Sequence, residues 1–355
     1  MKINSLQNST IIFGSEFYNT LSQYIENQNY SLIFILTDSN TYEDCLPSFL
    51  ADLATDKPIE IIEVEAGEEH KNIETCTGIW QTMTEFGADR KSLLITLGGG
   101  VITDLGGFAA ATFKRGIDCV NVPTSLLAMV DASVGGKTGI DLNGYKNEIG
   151  VFCFPKLVGI DTTFLSTLPK EEWLSGWAEM LKHGLIADEA YWQQLSDLSK
   201  VNELDIEQLI YRSVVIKNQV VLADFKEQNI RKTLNFGHTV GHAFESYFLN
   251  SNQPIKHGFA VAEGMIVEAY LSWKKELIEE EYFQEIRTKI RAIYPKINFT
   301  AEQIDEIVAL MRHDKKNIDG KMFFVLLAGK SKAIYNQLIS EKEVIEALNF
   351  YSHNQ

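Results

Sequence analysis

The sequence predicts an α/β, Rossmann-like nucleotide-binding domain over residues 1–165 and a mostly α-helical metal-binding domain over residues 166–355. Three observations carry this reading. In the first half, short β-branched runs alternate with segments of helical spacing, the pattern of a parallel, doubly wound sheet. After about Ser166, long amphipathic segments dominate. Within that second half, three of the seven histidines crowd the stretch from His238 to His257. A chain of 355 residues also exceeds the size at which one core usually stops growing.

Taken in order, residues 32–37 (LIFILT) read as a buried strand that ends in the polar loop Asp38-Ser39-Asn40. Residues 61–64 form a second strand running into Ala66-Gly67-Glu68-Glu69-His70-Lys71, and residues 72–86 have helical spacing that stops at Gly87. Residues 93–97 are a third strand, entering Gly98-Gly99-Gly100; residues 119–123 and 157–161 are a fourth and a fifth. An apolar helix is expected to run from residue 124 into a Gly135-Gly136-Lys137-Thr138 loop. In the second half, residues 169–186, 203–224, 237–249, 258–278, 280–293 and 301–313 read as helices, with one hairpin around Gly320.

Composition narrows the function. With 32 basic and 48 acidic residues the formal charge is −16, which argues against a nucleic-acid binder relying on a basic face. It leaves room for an anionic substrate, because a few inward-pointing cations can dominate the field of a cleft. Cys45, Cys76, Cys119 and Cys153 are scattered, with no C-x-x-C pair, and read as reduced packing residues. Residues 1–5 begin no signal-like apolar run and no stretch reaches spanning length, so a cytoplasmic protein without a membrane partner is expected.

His238 and His242 stand four apart, so on a helix both imidazoles face one way. His257 follows nineteen residues after His238, and Glu179 lies in a helical segment upstream. Two imidazoles and a carboxylate, with one position open, suit a catalytic zinc; histidines that merely cap or pack are the alternative. The glycines from Gly98 to Gly100 follow a strand and open a helix, where the backbone can approach a pyrophosphate. A strict G-x-G-x-x-G would need glycine at Thr103, and a tight turn without a ligand is the competing reading. Asp38, ending a strand, is placed to bind ribose hydroxyls, which favours NAD over NADP. Gly136-Lys137-Thr138 resembles the end of a P-loop, but the four-residue spacing to a first glycine fails. Lys137, Lys146, Lys182, Lys217, Arg231 and the pair Lys315-Lys316 are candidate cations for an anionic substrate. Arg231 and Asn235 are expected on nearly the same helical face as His238.

Together, Gly98 to Asp104, Arg115-Gly116, Pro123 to Lys137, Lys146-Asn147, Thr167-Leu168-Pro169, Glu179 to Lys182, Asn235 to His242, His257-Gly258 and Asp314-Lys315-Lys316 resemble the 3-dehydroquinate synthase family of sugar phosphate cyclases. The resemblance spans essentially the whole chain. It implies a dehydroquinate-synthase-like fold, shared with glycerol-dehydrogenase-type metal alcohol dehydrogenases. It implies zinc, or cobalt, on Glu179, His238 and His257. NAD+ would be held by Asp38, Glu68, Lys71, Gly99, Gly100, Val101, Asp104, Thr124, Ser125, Lys137, Lys146 and Phe164-Leu165-Ser166-Thr167. The implied substrate is a small anionic sugar phosphate, 3-deoxy-D-arabino-heptulosonate 7-phosphate. It would meet Asp131, Lys137, Asn147, Lys182, Lys217, Arg231, Asn235, His242 and Lys315, with Arg115 reaching across a homodimer interface. Ala66, Thr103 and Phe259 depart from common family patterns. Rival readings are another cyclase such as 2-deoxy-scyllo-inosose synthase, a glycerol-dehydrogenase-like enzyme, and a non-catalytic nucleotide-sensing protein.

Overall fold

The structure is a computed structural model that describes residues 1–143, 145–199, 205–251, 253–312 and 322–353. It divides into two compact units: residues 1–173 with 206–222, and residues 174–205 with 223–355. These units and the expected cut at 165/166 differ in two places. The division falls at Trp173/Leu174, and residues 206–222 join the first unit.

The first unit runs β1 (Lys2–Asn4), β2 (Thr10–Phe13), α1 (Glu16–Gln28), β3 (Ile33–Asp38), α2 (Ser39–Asp44), α3 (Leu46–Asp52), β4 (Ile59–Val64), α4 (Ile73–Glu85), β5 (Leu93–Gly98), α5 (Gly100–Thr112), β6 (Asp118–Pro123), β7 (Lys137–Leu142), β8 (Tyr145–Phe152) and β9 (Leu157–Ile160). Among the described residues a seven-stranded sheet has the order β1-β2-β9-β6-β5-β3-β4. All its pairings are parallel except β1 with β2. Strands β3 and β5 are buried along nearly their whole length, which explains their continuous apolar sequences. Phe34, Leu36, Ile79, Met83, Leu94, Ile102, Leu105 and Phe108 share one core cluster on the sheet.

The five strands β4-β3-β5-β6-β9 reproduce the doubly wound order 2-1-3-4-5. That order reverses between β3 and β5, so their carboxyl ends flank the crevice where such sheets take ligands. Asp38 ends β3 and Gly98 ends β5.

The sequence gives no warning of β1 and β2, which are three and four residues long. The apolar stretch after residue 124 is a second departure. It is helical over residues 126–132 only, with π-type winding from Ala128 to Ala132, and Lys137 and Thr138 open strand β7 of a hairpin instead of lying in a loop.

The second unit takes in most of α6 (Lys170–Ala187), then α7 (Glu189–Leu195), α9 (His238–Asn250), α10 (His257–Lys274), α11 (Glu280–Arg291), α12 (Ile304–Arg312), the hairpin β10 (Met322–Leu327) and β11 (Ala333–Ile339), and α13 (Glu341–His353). Helix α8 (Ile206–Ala223) belongs to the first unit but for its last residue. The hairpin is closed by Ala328 N–H donating to the Lys332 carbonyl at 2.8 Å; Gly320 lies outside the described residues. Trp177, Trp192, Phe244 and Phe283 are fully buried in this unit's core.

Helices α9 and α10 cross at very short range. A Cβ on Gly264 would lie 2.1 Å from the Gly237 carbonyl oxygen and 2.9 Å from the Gly241 nitrogen. Both obstacles are backbone, so neither can swing aside. The expected consequence of Gly264→Ala is a loss of about 1–3 kcal/mol or more, by forced separation of the two helices. Chemical denaturation checks this; an unchanged midpoint would contradict the packing described.

Candidate active site

The second unit brings three chain-distant side chains to one point. Glu179 sits mid-way along α6, while His238 and His257 are the first residues of α9 and α10. His238 Nε2 and His257 Nε2 each lie 3.4 Å from Glu179 Oε1, and ligand atoms of all three fall within 4.8 Å of one another. The first residue of a helix is well suited to this, because its side chain projects from an end whose position the following turns fix.

Both imidazoles are oriented from behind. His238 Nδ1 is 3.1 Å from the Phe236 carbonyl, so it donates there and turns the Nε2 lone pair inward. His257 Nδ1 is 2.9 Å from Glu245 Oε2, the carboxylate–imidazole pairing common behind metal-ligating histidines. The amino terminus of α9 is itself capped from α10. The fully buried Glu268 carboxylate accepts from Gly237 N at 2.7 Å, Thr239 N at 3.1 Å and Val240 N at 3.3 Å. Gly258 N donates to Ser175 Oγ at 2.9 Å, tying the start of α10 to α6.

Electrostatics complete the cluster. Burial works to raise the Glu179 carboxyl, but the Lys182 ammonium against its Oε2, and His238 beside it, hold it well below the usual carboxylate range. Burial and the same ammonium push His238 down to about 4, leaving it neutral and able to donate a lone pair. Burial also works against charge on His257, but Glu245 and Glu179 outweigh it and raise the imidazole to about 10. Glu179 Oε1 is buried and has no hydrogen-bond partner. A buried anionic oxygen without a donor is costly, and it is the feature that fits a divalent ion. One oxygen and two nitrogens of this kind match a zinc-type donor set with a position left open. His242 stands alongside, its ring 5.3 Å from that of His238 and 6.0 Å from that of His257.

The other sequence-derived residues are placed as follows. In the first unit, Gly99 caps α5 without a side-chain hydrogen bond, so the first backbone N–H groups of the helix carry no side-chain cap. Asp38 Oδ1 accepts from Thr41 N at 2.9 Å and so caps α2. Thr124 is buried after β6, and Ser125 Oγ accepts from Ala128 N at 3.2 Å. Phe164, Leu165 and Ser166 lie in a short 3-10 turn after β9, with Thr167 following. Lys71 is nearly enclosed, its Nζ 2.8 Å from Asp104 Oδ2, 2.7 Å from Asn147 Oδ1 and 3.6 Å from Glu68. Burial opposes its charge, but Asp104 and Glu68 keep its ammonium protonated. Lys146 lies 4.0 Å from Glu68, and Lys217 Nζ pairs with Asp131 Oδ1 at 2.6 Å. Lys137 and Arg115 are exposed.

In the second unit, the expectation that Arg231 and Asn235 share a helical face with His238 is corrected. They lie in a 3-10 segment, Ile230–Asn235, that is cut from α9 by extended backbone at Phe236 and a left-handed Gly237 (φ 81°). Arg231 is buried and donates through Nη1 to the Phe225 carbonyl at 2.7 Å; Asn235 donates to Glu227 at 2.6 Å. Lys315 lies outside the described residues, as does Lys316. Phe259 packs edge-on against Tyr294, with ring centroids 5.4 Å apart.

Sequence reasoning missed Glu245, Glu268 and Ser175. The first had a readable signal, lying seven residues after His238 and so near the same helical face. Glu268 stood out as a carboxylate in the apolar run of α10, a setting that demands a partner.

This geometry predicts that His238→Ala loses bound metal and turnover together. Glu245→Gln is expected to keep the fold and to weaken zinc affinity by about 10–100-fold. Competitive chelator titration reads both, and unaltered zinc affinity in the two variants would refute the ligand assignment.

Comparison with known proteins agrees with the geometry. Family patterns described as 3-dehydroquinate synthase N-terminal and C-terminal match residues 61–175 and 176–317. A 3-dehydroquinate synthase of Parabacteroides distasonis is 43% identical over 96% of this chain and 97% of its own length. One of Thermoanaerobacter pseudethanolicus is 38% identical over 95% and 96%. Among solved structures, 2-epi-5-epi-valiolone synthase from Streptomyces hygroscopicus, with NAD+ and Zn2+ bound, superposes with a TM-score of 0.83 at 25% identity, covering 97% of each chain. The chain belongs to the 3-dehydroquinate synthase family, carbon–oxygen lyases of the shikimate pathway to aromatic amino acids.

Proposed function

We propose the following roles in the reaction of this family, the conversion of 3-deoxy-D-arabino-heptulosonate 7-phosphate to 3-dehydroquinate and phosphate. Glu179, His238 and His257 hold a divalent ion, zinc or cobalt, and the orphaned Glu179 Oε1 is the observation that carries this reading. When bound there, the ion supplies Lewis acidity to the substrate's neighbouring oxygens. Lys182 keeps Glu179 ionised, and Glu245 and the Phe236 carbonyl hold the two imidazoles in the ligating orientation.

The first unit is proposed to bind NAD at the β3/β5 reversal, with α5 offering its N-terminal N–H groups to the pyrophosphate and Asp38 facing the ribose. Glu68, Lys71, Asp104, Thr124, Ser125, Lys146 and the segment from Phe164 to Thr167 complete that proposed site. The nucleotide supplies a hydride acceptor that is restored within the cycle.

His242, one turn after His238, accepts the hydroxyl proton, a transfer that imidazole side chains commonly carry. Phosphate departure can use the substrate's own phosphate as base. The first unit contributes Lys137, Lys146, Asn147, Lys217 and Asp131 to anion and hydroxyl contacts, and the second contributes Lys182, Arg231 and Asn235. Lys315 is proposed for the same purpose.

A homodimer is part of this reading. Arg115 is exposed, and Ile149 and Val151, each 37% exposed, leave apolar side chains on one face of the hairpin, of the kind an interface covers. No helix among the described residues is long and apolar enough to cross a membrane, in keeping with the proposed cytoplasmic location.

Supplied with the heptulosonate phosphate, NAD and zinc, the protein is expected to release stoichiometric phosphate without accumulating NADH. Net NADH formation on a polyol would instead select a dehydrogenase. Arg231→Ala is expected to raise KM for the substrate at least about tenfold, the cost of one lost charge-assisted contact, and to spare NAD binding. Equal loss of both would count against the role given to Arg231.

A further inference from the structure

We propose that a cavity of about 810 Å3 at the junction of α11 and α13 binds a small multivalent oxyanion, of phosphate or polycarboxylate type. None of its lining residues belongs to the candidate active site. Its volume lies within the range usual for small-molecule sites, about 300–1,000 Å3.

Arg287 and Arg291 line it from one face of α11, one turn apart, and Lys296 lines it from the following loop. Two of these cations share the Tyr351 ring. The Arg291 guanidinium lies 4.8 Å from its ring centroid and the Lys296 ammonium 5.7 Å. Three cations thus gather in a chain of net charge −16. The Glu263 carboxylate lies 3.0 Å from Arg291 Nη2, burial pushing that carboxyl up to about 7 in spite of Arg291, and Lys296 Nζ donates to the Ser352 carbonyl at 2.8 Å. Arg291 Nε and Nη1 have no hydrogen-bond partner. Burial, then Arg291, and lastly Arg287 press the Lys296 ammonium below its ordinary value, with Glu263 opposing. Like charges held together in this way are relieved by an anion with several oxygens, which guanidinium groups bind in pairs. Thr288 and Asn298 at the rim add neutral hydrogen-bonding groups.

The test is calorimetric titration of the NAD- and zinc-loaded protein with inorganic pyrophosphate and, separately, with citrate, at constant ionic strength. At least one anion is expected to bind, and the stronger of the two identifies the oxyanion type. Arg287→Ala/Lys296→Ala is expected to weaken that binding about tenfold or more at unchanged Tm, while Lys296→Arg retains it. Arg231→Ala, altered in the proposed substrate contacts, is expected to retain it too. No binding of either anion, equal affinity in the double variant, or loss in Arg231→Ala alone would overturn the proposal.

Discussion

Glu179 is fully buried, with one oxygen taken by Lys182 and the other meeting only the Nε2 atoms of His238 and His257, each at 3.4 Å. Much of the second unit follows from having to maintain that arrangement. A buried carboxylate must be compensated, and Lys182, three residues on along the same helix, compensates half of it. The remaining oxygen has no hydrogen-bond partner and faces the two imidazole Nε2 atoms at 3.4 Å. In the proposed function a divalent ion resolves this, and the site is then as much a requirement of burial as of catalysis.

Holding three ligands from three helices demands that the helices be fixed closely. The backbone contact of Gly264 with Gly237 sets the spacing of α9 and α10, and Glu268 on α10 caps α9 directly. Ser175 on α6 caps α10 in turn. Each of the three helices is therefore tied to another within a few residues of its ligand. Glu245 and the Phe236 carbonyl then settle ring orientation. The first unit solves a different problem by a different device. Its sheet order places Asp38 and the start of α5 on either side of the strand reversal, and the glycine turn leaves backbone N–H groups uncapped there.

What could be read from residues alone follows the range of the interactions involved. Strands β3, β5 and β6 were legible because burial on both faces leaves continuous apolar runs, and α9 because its histidines and apolar positions keep helical spacing. Strand β2 was not, because its four residues owe their conformation to pairing with β9, far along the chain. Lys137 and Thr138 were read as loop for a similar reason, since their extended conformation comes from pairing with Phe152 and Val151. Arg231 was placed on the wrong element because spacing cannot see the left-handed Gly237 that starts α9 afresh. Glu268 was overlooked since its role depends on which helix end packs against it. Proximity of Glu179 to two histidines was the reverse case. It was inferred from residue chemistry and resemblance, and the fold brings those side chains within 4.8 Å.

The most direct measurement is X-ray absorption spectroscopy on zinc-loaded protein, paired with metal stoichiometry in Glu179→Gln. The account predicts one ion per chain, coordinated by nitrogen and oxygen at about 2.0–2.2 Å with no sulfur, and its loss or marked weakening in the variant. Zinc bound through cysteine sulfur, or retained with unchanged affinity after Glu179→Gln, would contradict it.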